Sequence, residues 1–533
     1  MAHPCDCRPR YRQARPVRDA TPGGRMQPPS GDDPPEPPRQ GPDAWMESAE
    51  SWATLNGDLR AQKYSPADQI TPENVGELEQ AWEYHTGDVA DGSDEVPMSV
   101  WSATPLFVND TLYLGTPFYR IIALEPGSGE EKWTFDPEAP LEALTQANMK
   151  GRGVAYWEAD EPLVGVACQK RVYIGTMDDK LHGVDADTGK RCADFGDNGM
   201  VDVNQWNTVN DKRPLSLFQP PTVYNDTLFL GWAGKDWTDA VAPPGTDFAL
   251  DARTGERKWT FHALPEEVVD RTGTANVWAS MSLDPETGLL YIPISSPSPN
   301  YYGGERTEEL PQATLVTALN TETGEVVWSR QLVHHDIWDY DTVAPPTLVD
   351  IEKDGETVPT LVQPSKQGFL FVLNRETGEP VYPIEEREVP ASDAEGEQAS
   401  PTQPFVDVPE PVVPRDDYQQ LEQSGERLWN EPFGQVQKHG FYMPESWGSV
   451  TIGAPVITRS GLIFIGASMD SRVRAIDLES GEVLWKHLVD APAVSMPAVY
   501  TFQGKQYVTF AVGGNSILLP KVSDQVVSFA LPE

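Results

Sequence analysis

Basic residues are scarce in this chain: 40 lysines and arginines stand against 82 aspartates and glutamates in 533 residues, a formal net charge of −42. A surface that negative excludes nucleic acid and anionic membrane as partners. It fits either drift in composition or a protein of a salty medium, and the sequence leaves both open. Long hydrophobic runs are missing too. Nothing approaches the ~18 consecutive apolar residues of a membrane helix, so a soluble protein without a transmembrane segment is expected. Cysteine is rare, with four in all. Cys5 and Cys7 fall near the N-terminus, and no C-x-x-C-H occurs, which excludes a covalently attached haem. Cys168 and Cys192 flank one hairpin and suit either a disulfide in an oxidising compartment or two free buried thiols. Residues 1–45 are rich in Pro, Arg and Gly without periodicity, so a disordered tail is expected there and the folded domain over 46–533. Six arginines precede Met26, but no apolar run follows them and no signal peptide is visible.

What the chain does have is repetition. The pattern A/V/G-hydrophobic-D/E/N-x-x-S/T-G-E/K-x-x-W recurs, with variations, at Ala123 to Trp133, Gly183 to Ala193, Ala249 to Trp259, Ala318 to Trp328, Val372 to Tyr382 and Ala475 to Trp485. Each copy reads as a buried strand, a T-G or S-G turn in which glycine takes positive φ, and a second strand, most often opening on an aromatic. Copies start 54 to 69 residues apart, apart from one gap of 103. Units of that size cannot bury their own faces and stack radially, so the expected fold is all-β, a β-propeller of four-stranded blades. Leu78 to Tyr84 and Val526 to Leu531 are the natural closing strands, since joining the two ends of the ring removes its exposed edges. Six hairpins and a closing blade make seven. The long gap has room for an eighth, degenerate blade, although 383–447 is rich in Pro and acid and reads mostly as a long irregular excursion.

Stretches outside the repeats carry a more specific signal. Asn56-Gly57-Asp58 with Tyr64-Ser65-Pro66, Gly151-Arg152-Gly153-Val154-Ala155-Tyr156-Trp157, Ser298-Pro299-Asn300-Tyr301-Tyr302-Gly303-Gly304, His334 to Asp341 and Gly504-Lys505-Gln506-Tyr507-Val508 resemble, in order and spacing, the pyrroloquinoline quinone (PQQ)-dependent dehydrogenases of the glucose/quinate branch. The resemblance runs over roughly residues 52–533. It implies an eight-bladed family propeller, with PQQ held near the axis on a calcium or magnesium ion. It implies oxidation of an aldose, polyol or other alcohol, transfer of electrons to a quinone or soluble carrier, and a periplasmic or otherwise extracytoplasmic location. Two departures are expected to matter: the N-terminal membrane domain of the membrane-bound glucose dehydrogenases is lacking, and so is a stretch before Trp447 that supplies a blade in many relatives.

By that resemblance Asp339 is the base that takes the hydroxyl proton and also a metal ligand. Lys366 is the cation against the quinone oxygens, where positive charge stabilises the reduced cofactor. Arg152 matches a clamp on a PQQ carboxylate, which a planar guanidinium meets as a fork, and Trp278 matches the plate on which the cofactor stacks. Asp236, or Asp239 if the alignment slips, and Ser296 complete the implied metal set, which suits a hard cation that prefers oxygen. Asp470 resembles the carboxylate partnered with the lysine. Asn148 and Asn515 stand where relatives often have histidines, and can hydrogen-bond but carry no charge. The adjacent Cys-Cys pair of methanol dehydrogenase-like members is missing, which points to a sugar or cyclic polyol. A cofactor-free propeller serving as a binding or assembly scaffold is the alternative; a base, a cation, a clamp and a stacking plate retained together oppose it. An outer-membrane assembly factor built of Trp-bearing blades explains the repeats but not His334 to Asp341.

Overall fold

The repeat motif becomes the third and fourth strands of a blade, and its turn shows why. In Ala249 to Trp259 the Asp251 carboxylate accepts the N–H groups of Arg253 and Thr254 at 3.0 and 2.9 Å, and Gly255, at φ +72°, donates its own N–H to the Asp251 carbonyl at 2.8 Å. Asn320 arranges Glu322, Thr323 and Gly324 in the same way. A short side chain that caps the turn and a glycine free of Cβ strain are what such a turn needs.

The computed structural model describes residues 51–93, 95–143, 149–163, 165–207, 213, 215–217, 219–234, 240–307, 309–409, 429, 432–438, 441–515 and 521–532. Among these are seven blades. The first runs Leu106–Val108, Thr111–Gly115, Ile121–Leu124 and Glu131–Phe135; the second Ala155–Glu158, Lys170–Gly175, Lys180–Asp185 and Met200–Asp202. The third is Thr222–Tyr224, Thr227–Leu230, Thr246–Asp251 and Arg257–His262; the fourth is Ser282–Asp284, Leu289–Ile294, Leu315–Asn320 and Val326–Gln331. The fifth has three strands, Thr347–Lys353, Glu356–Pro364 and Leu370–Asn374. The sixth, Val456–Thr458, Leu462–Ile465, Arg472–Asp477 and Val483–Leu488, gains Tyr64–Ser65 as a parallel inner strand. The seventh closes the ring as expected: Ala498–Phe502, Lys505–Gly514 and Val522–Ala530 are joined by Glu79–His85, with Trp82 opposite Ser528.

The count is thus seven among the described residues, and the long gap holds no further four-stranded blade there. Its described part is a hairpin, Ile384–Glu388 with Thr402–Val406, and a short one, Gln437–Lys438 with Phe441–Tyr442. Residues 1–45 lie outside the described residues, so the tail is not tested. No helix among the described residues is long and apolar enough to cross a membrane.

Blade is fastened to blade by the tryptophans of the repeat. The Trp133 ring lies over Gly189 of the next blade, where a Cβ would sit 2.5 Å from the ring, and its indole N–H donates to the Ala186 carbonyl at 3.1 Å. Trp259 on Gly324, Trp328 on Gly378 and Trp82 on Gly129 repeat the contact, each with an indole bond of 2.9 to 3.0 Å to the same turn. The repeat glycine therefore has two causes, a left-handed turn and a ring lying on it. The second repeat ends in Ala193 and has no ring to offer. A disulfide between Cys168 and Cys192 crosses that blade, resolving the alternative left open by the sequence. A fifth ring, Trp429, lies on Gly481 of the sixth blade although no repeat contains it.

Candidate active site

In an up-and-down blade the end of the second strand, the end of the fourth and the approach to the first all lie at one end. Ser296, Lys366, Asp470 and Asn515 follow second strands, Asp339 follows a fourth strand, and Arg152 and Trp278 precede first strands. These seven candidates consequently share one face. Asn148 and Asp236, like Asp239, lie outside the described residues.

Four side chains converge on Asp339. Its Oδ1 accepts from the Asn300 amide at 3.0 Å and faces the Ser296 hydroxyl at 3.3 Å. Its Oδ2 accepts from the Lys366 ammonium at 2.9 Å and the Tyr301 hydroxyl at 3.1 Å. The backbone N–H of Asp339 donates to the Asn300 carbonyl at 3.1 Å, which holds the residue at φ +59°. Left-handed φ is uncommon outside glycine and is tolerated best by Asn and Asp.

Lys366 is shared. Its ammonium lies 2.9 Å from Asp339 and 2.9 Å from Asp341, whose other oxygen accepts both the N–H and the hydroxyl of Ser296 at 2.8 Å. Burial pushes the Asp341 carboxyl up, with Lys366 pulling the other way. Burial alone would lower the lysine, but Asp341 and Asp339 together outweigh it and hold the ammonium above its ordinary range. Two carboxylates against one ammonium leave the corner with an excess negative charge.

Beneath it, Asp336 is buried and accepts the N–H groups of Trp338 and Tyr340 at 3.0 Å and the Thr314 hydroxyl at 3.1 Å. Burial still raises its carboxyl to about 6. Arg306, also buried, donates to the carbonyls of Pro299 and Asp336 and so ties the loop carrying Asn300 to the loop carrying Asp339.

Arg152 and Trp278 lie against each other. The guanidinium donates to the Trp278 carbonyl at 2.8 Å and to Gln219 at 3.2 Å, and lies 5.0 Å above the indole. Burial lowers it to about 10. Asn515 is buried and bridged to Val100, which pairs with Lys150 two residues before Arg152.

Asp470 corrects one expectation. Lys366 is paired with Asp339 and Asp341, whereas Asp470, fully enclosed, is held by Arg474, the Ser468 hydroxyl at 2.6 Å and the Gln435 N–H at 3.0 Å. A buried carboxylate takes the guanidinium on its own blade, at the next strand's third residue. Asp341, Asn300 and Tyr301 lie in the motifs Ser298 to Gly304 and His334 to Asp341, where the resemblance implies no role for them. The D-Y-D spacing, two carboxylates with one residue between them, was the available signal.

The family model described as PQQ glucose/ethanol/alcohol dehydrogenase, beta-propeller domain, matches residues 52–424 and 420–508. The quinoprotein glucose dehydrogenase of Escherichia coli (strain K12) is 27% identical in an alignment covering 91% of this chain and 79% of that protein. The quinate/shikimate dehydrogenase (quinone) of Acinetobacter baylyi is 34% identical over 68% of this chain and 47% of its own length. The structure of quinohemoprotein alcohol dehydrogenase ADHIIG from Pseudomonas putida HK5 superposes with a TM-score of 0.69 at 22% identity, covering 92% of this chain and 81% of that one, and so shares the fold. The chain belongs to the PQQ-dependent glucose/ethanol/alcohol dehydrogenase family of quinoprotein oxidoreductases, on its glucose/quinate-like side.

Proposed function

We propose that this protein oxidises a hydroxyl of an aldose or polyol, with Asp339 as the base, and passes the electrons to a quinone or a soluble carrier in the periplasm. The observation that carries the reading is the corner where Asp339, Lys366, Asp341 and Ser296 meet within hydrogen-bond distance at the axial face. The residues fit the group the family implies. Two carboxylates and a hydroxyl make an all-oxygen donor set with negative charge to spare, which suits Ca²⁺ or Mg²⁺. Lys366 and Arg152 are cations suited to the oxygens and carboxylates of PQQ, and Arg152 and Trp278 lie half-buried side by side. PQQ, when bound, supplies the electrophile that accepts hydride from the carbinol carbon.

The chain's own work is positional. Asn300 fixes the rotation of Asp339 from both its carbonyl and its amide. Asp339 takes the hydroxyl proton on its outward oxygen, Oδ2. Lys366, bonded to that same oxygen, favours the ionised carboxylate until the proton arrives and offers fixed positive charge to oxygens that gain negative charge. Asp341 anchors the lysine from behind. The disulfide favours an oxidising compartment.

The test is a titration of apoprotein with PQQ, with and without Ca²⁺, followed by absorbance, then dye reduction on glucose, quinate and ethanol. Saturable, metal-dependent binding with reduction on any one substrate supports the reading. No binding by folded protein moves it to the cofactor-free scaffold.

A further inference from the structure

The two oxygens of Asp339 have different surroundings. Oδ1 turns inward, to the buried Asn300 amide and the buried Ser296 hydroxyl. Oδ2 faces outward and has two lone-pair directions. Lys366 takes one at 2.9 Å and Tyr301 the other at 3.1 Å. An alcohol that is to lose its proton must first donate a hydrogen bond to the base, and on Oδ2 both places are held. One donor has to leave.

The two donors are not equally exposed: the Lys366 side chain is 31% exposed and Tyr301 65%. Lys366 is bonded on its far side to Asp341, whose side chain is 6% exposed, so moving it would break two charge-assisted bonds at once. Tyr301 reaches Asp339 from a residue that is 65% exposed. Its backbone is fastened on either side: Asn300 grips Asp339, Tyr302 donates to the Glu395 carbonyl at 2.8 Å, and the Gly303 N–H donates to Glu397 at 2.9 Å. The loop stays while the side chain turns.

We propose that Tyr301 is the exchangeable donor: its hydroxyl holds the substrate's place on Asp339 Oδ2 and yields it when an alcohol binds. This rests on the reading of Asp339 as the base of a PQQ dehydrogenase. Tyr301 then sets how easily the base opens and for which alcohols. Tyr301, its chain neighbour Tyr302 and Trp338, the residue before the base, present exposed aromatic rings, by 65%, 40% and 36%. Such surface favours the C–H face of a saturated ring bearing several hydroxyls over a short chain alcohol.

The experiment uses PQQ-loaded wild type, Y301F and Y301A on glucose, quinate and ethanol, with the PQQ titration and thermal midpoint of each. Removing only the hydroxyl removes the competitor, so Y301F lowers KM about fivefold, the equivalent of the ~1 kcal/mol typical of one hydrogen bond, with the gain in KM rather than kcat. Y301A lowers KM for ethanol similarly but raises it about tenfold for the ring substrates. Calorimetric titration of unloaded wild type and Y301F with glucose reads the same exchange without turnover. Unchanged KM in a Y301F variant that binds PQQ normally overturns the exchange alone. A hundredfold fall in its kcat overturns it too, because the phenol would then belong to the reacting machinery. Wild type that binds no PQQ overturns the underlying reading and this inference with it.

Discussion

Asp284 and Asp339 are both aspartates bonded to cations, and they do opposite things. Asp284 sits at the end of the fourth blade's first strand with its side chain 1% exposed, Arg60 on one oxygen at 3.0 Å and Arg375 on the other at 2.9 Å. Arg375 reaches on to Asp350 of the fifth blade, and the Arg60 carbonyl accepts the Leu348 N–H. The cluster pins the N-terminal strap, which runs from a bridge with Phe107 of the first blade to a strand beside the sixth, across the inner strands of the fourth and fifth. Asp339 has a lysine in place of the forked guanidiniums, one partner that is exposed, and a left-handed backbone. Arginine's rigid fork suits a joint that must not move; at Asp339 the lysine is held from behind by Asp341 and the exposed tyrosine is the partner that is traded. Saturation and enclosure mark the structural carboxylate; a displaceable donor marks the reactive one.

The largest effect should come from breaking the first. Asp284→Ala leaves two guanidiniums buried without their shared acceptor, and removing one partner of a buried pair costs about 3–5 kcal/mol. Urea unfolding of the variant should show that loss; a midpoint within about 0.5 kcal/mol of wild type would mean that water reaches the cluster and the contrast with Asp339 is wrong. Asp339→Asn should do the reverse. Its site is partly open, so stability should stay within about 1 kcal/mol, while turnover falls at least ~10²-fold, the usual scale for a lost general base, with PQQ still bound. Wild-type turnover in D339N would remove the residue from its proposed role.

The contrast explains what was legible in the sequence. The propeller was, because the turn chemistry of Asp251-Ala252-Arg253-Thr254-Gly255 and its copies is local and repeats. The ring closure was legible for the same reason: an edge strand at each end has one place to go. Seven against eight blades was not, since the long gap carries no turn signal, and Trp429 stands on Gly481 with no repeat around it. Among the site residues, Asp339, Lys366 and Ser296 come together because each lies in a motif that fixes its own loop. Asp470 did not join Lys366: which cation a buried carboxylate takes depends on the strand alongside it, here the one that carries Arg474, and a motif three residues long says nothing of that. Arg60 of the strap was equally silent, since its partner is 224 residues away.

A third carboxylate tests the comparison from the side of burial alone. Asp179, in the turn between Lys170–Gly175 and Lys180–Asp185, is 7% exposed, stands at φ +75°, and has one carboxylate oxygen buried without a hydrogen-bond partner. Burial raises it to about 7; Lys180 pulls it down, but Asp202 and Asp178 push it further up. The folded protein therefore holds a proton that the unfolded chain has lost above about 3.8. Where the native state binds more protons, stability falls as pH rises, so this group's cost builds from about pH 4 and is complete above about pH 7. Asparagine has the same shape, accepts the left-handed turn and does not ionise. Asp179→Asn should match wild type near pH 4 and exceed it by about 1–2 kcal/mol at pH 8, a figure discounted for solvent that reaches the carboxyl's open side. Urea unfolding at the two pH values measures the difference. An equal gain at both would mean that turn preference, not the buried charge, is what the substitution relieves. A gain confined to pH 8 would establish that a carboxylate enclosed in this fold costs stability unless a cation is built in beside it, as Arg60 and Arg375 are for Asp284.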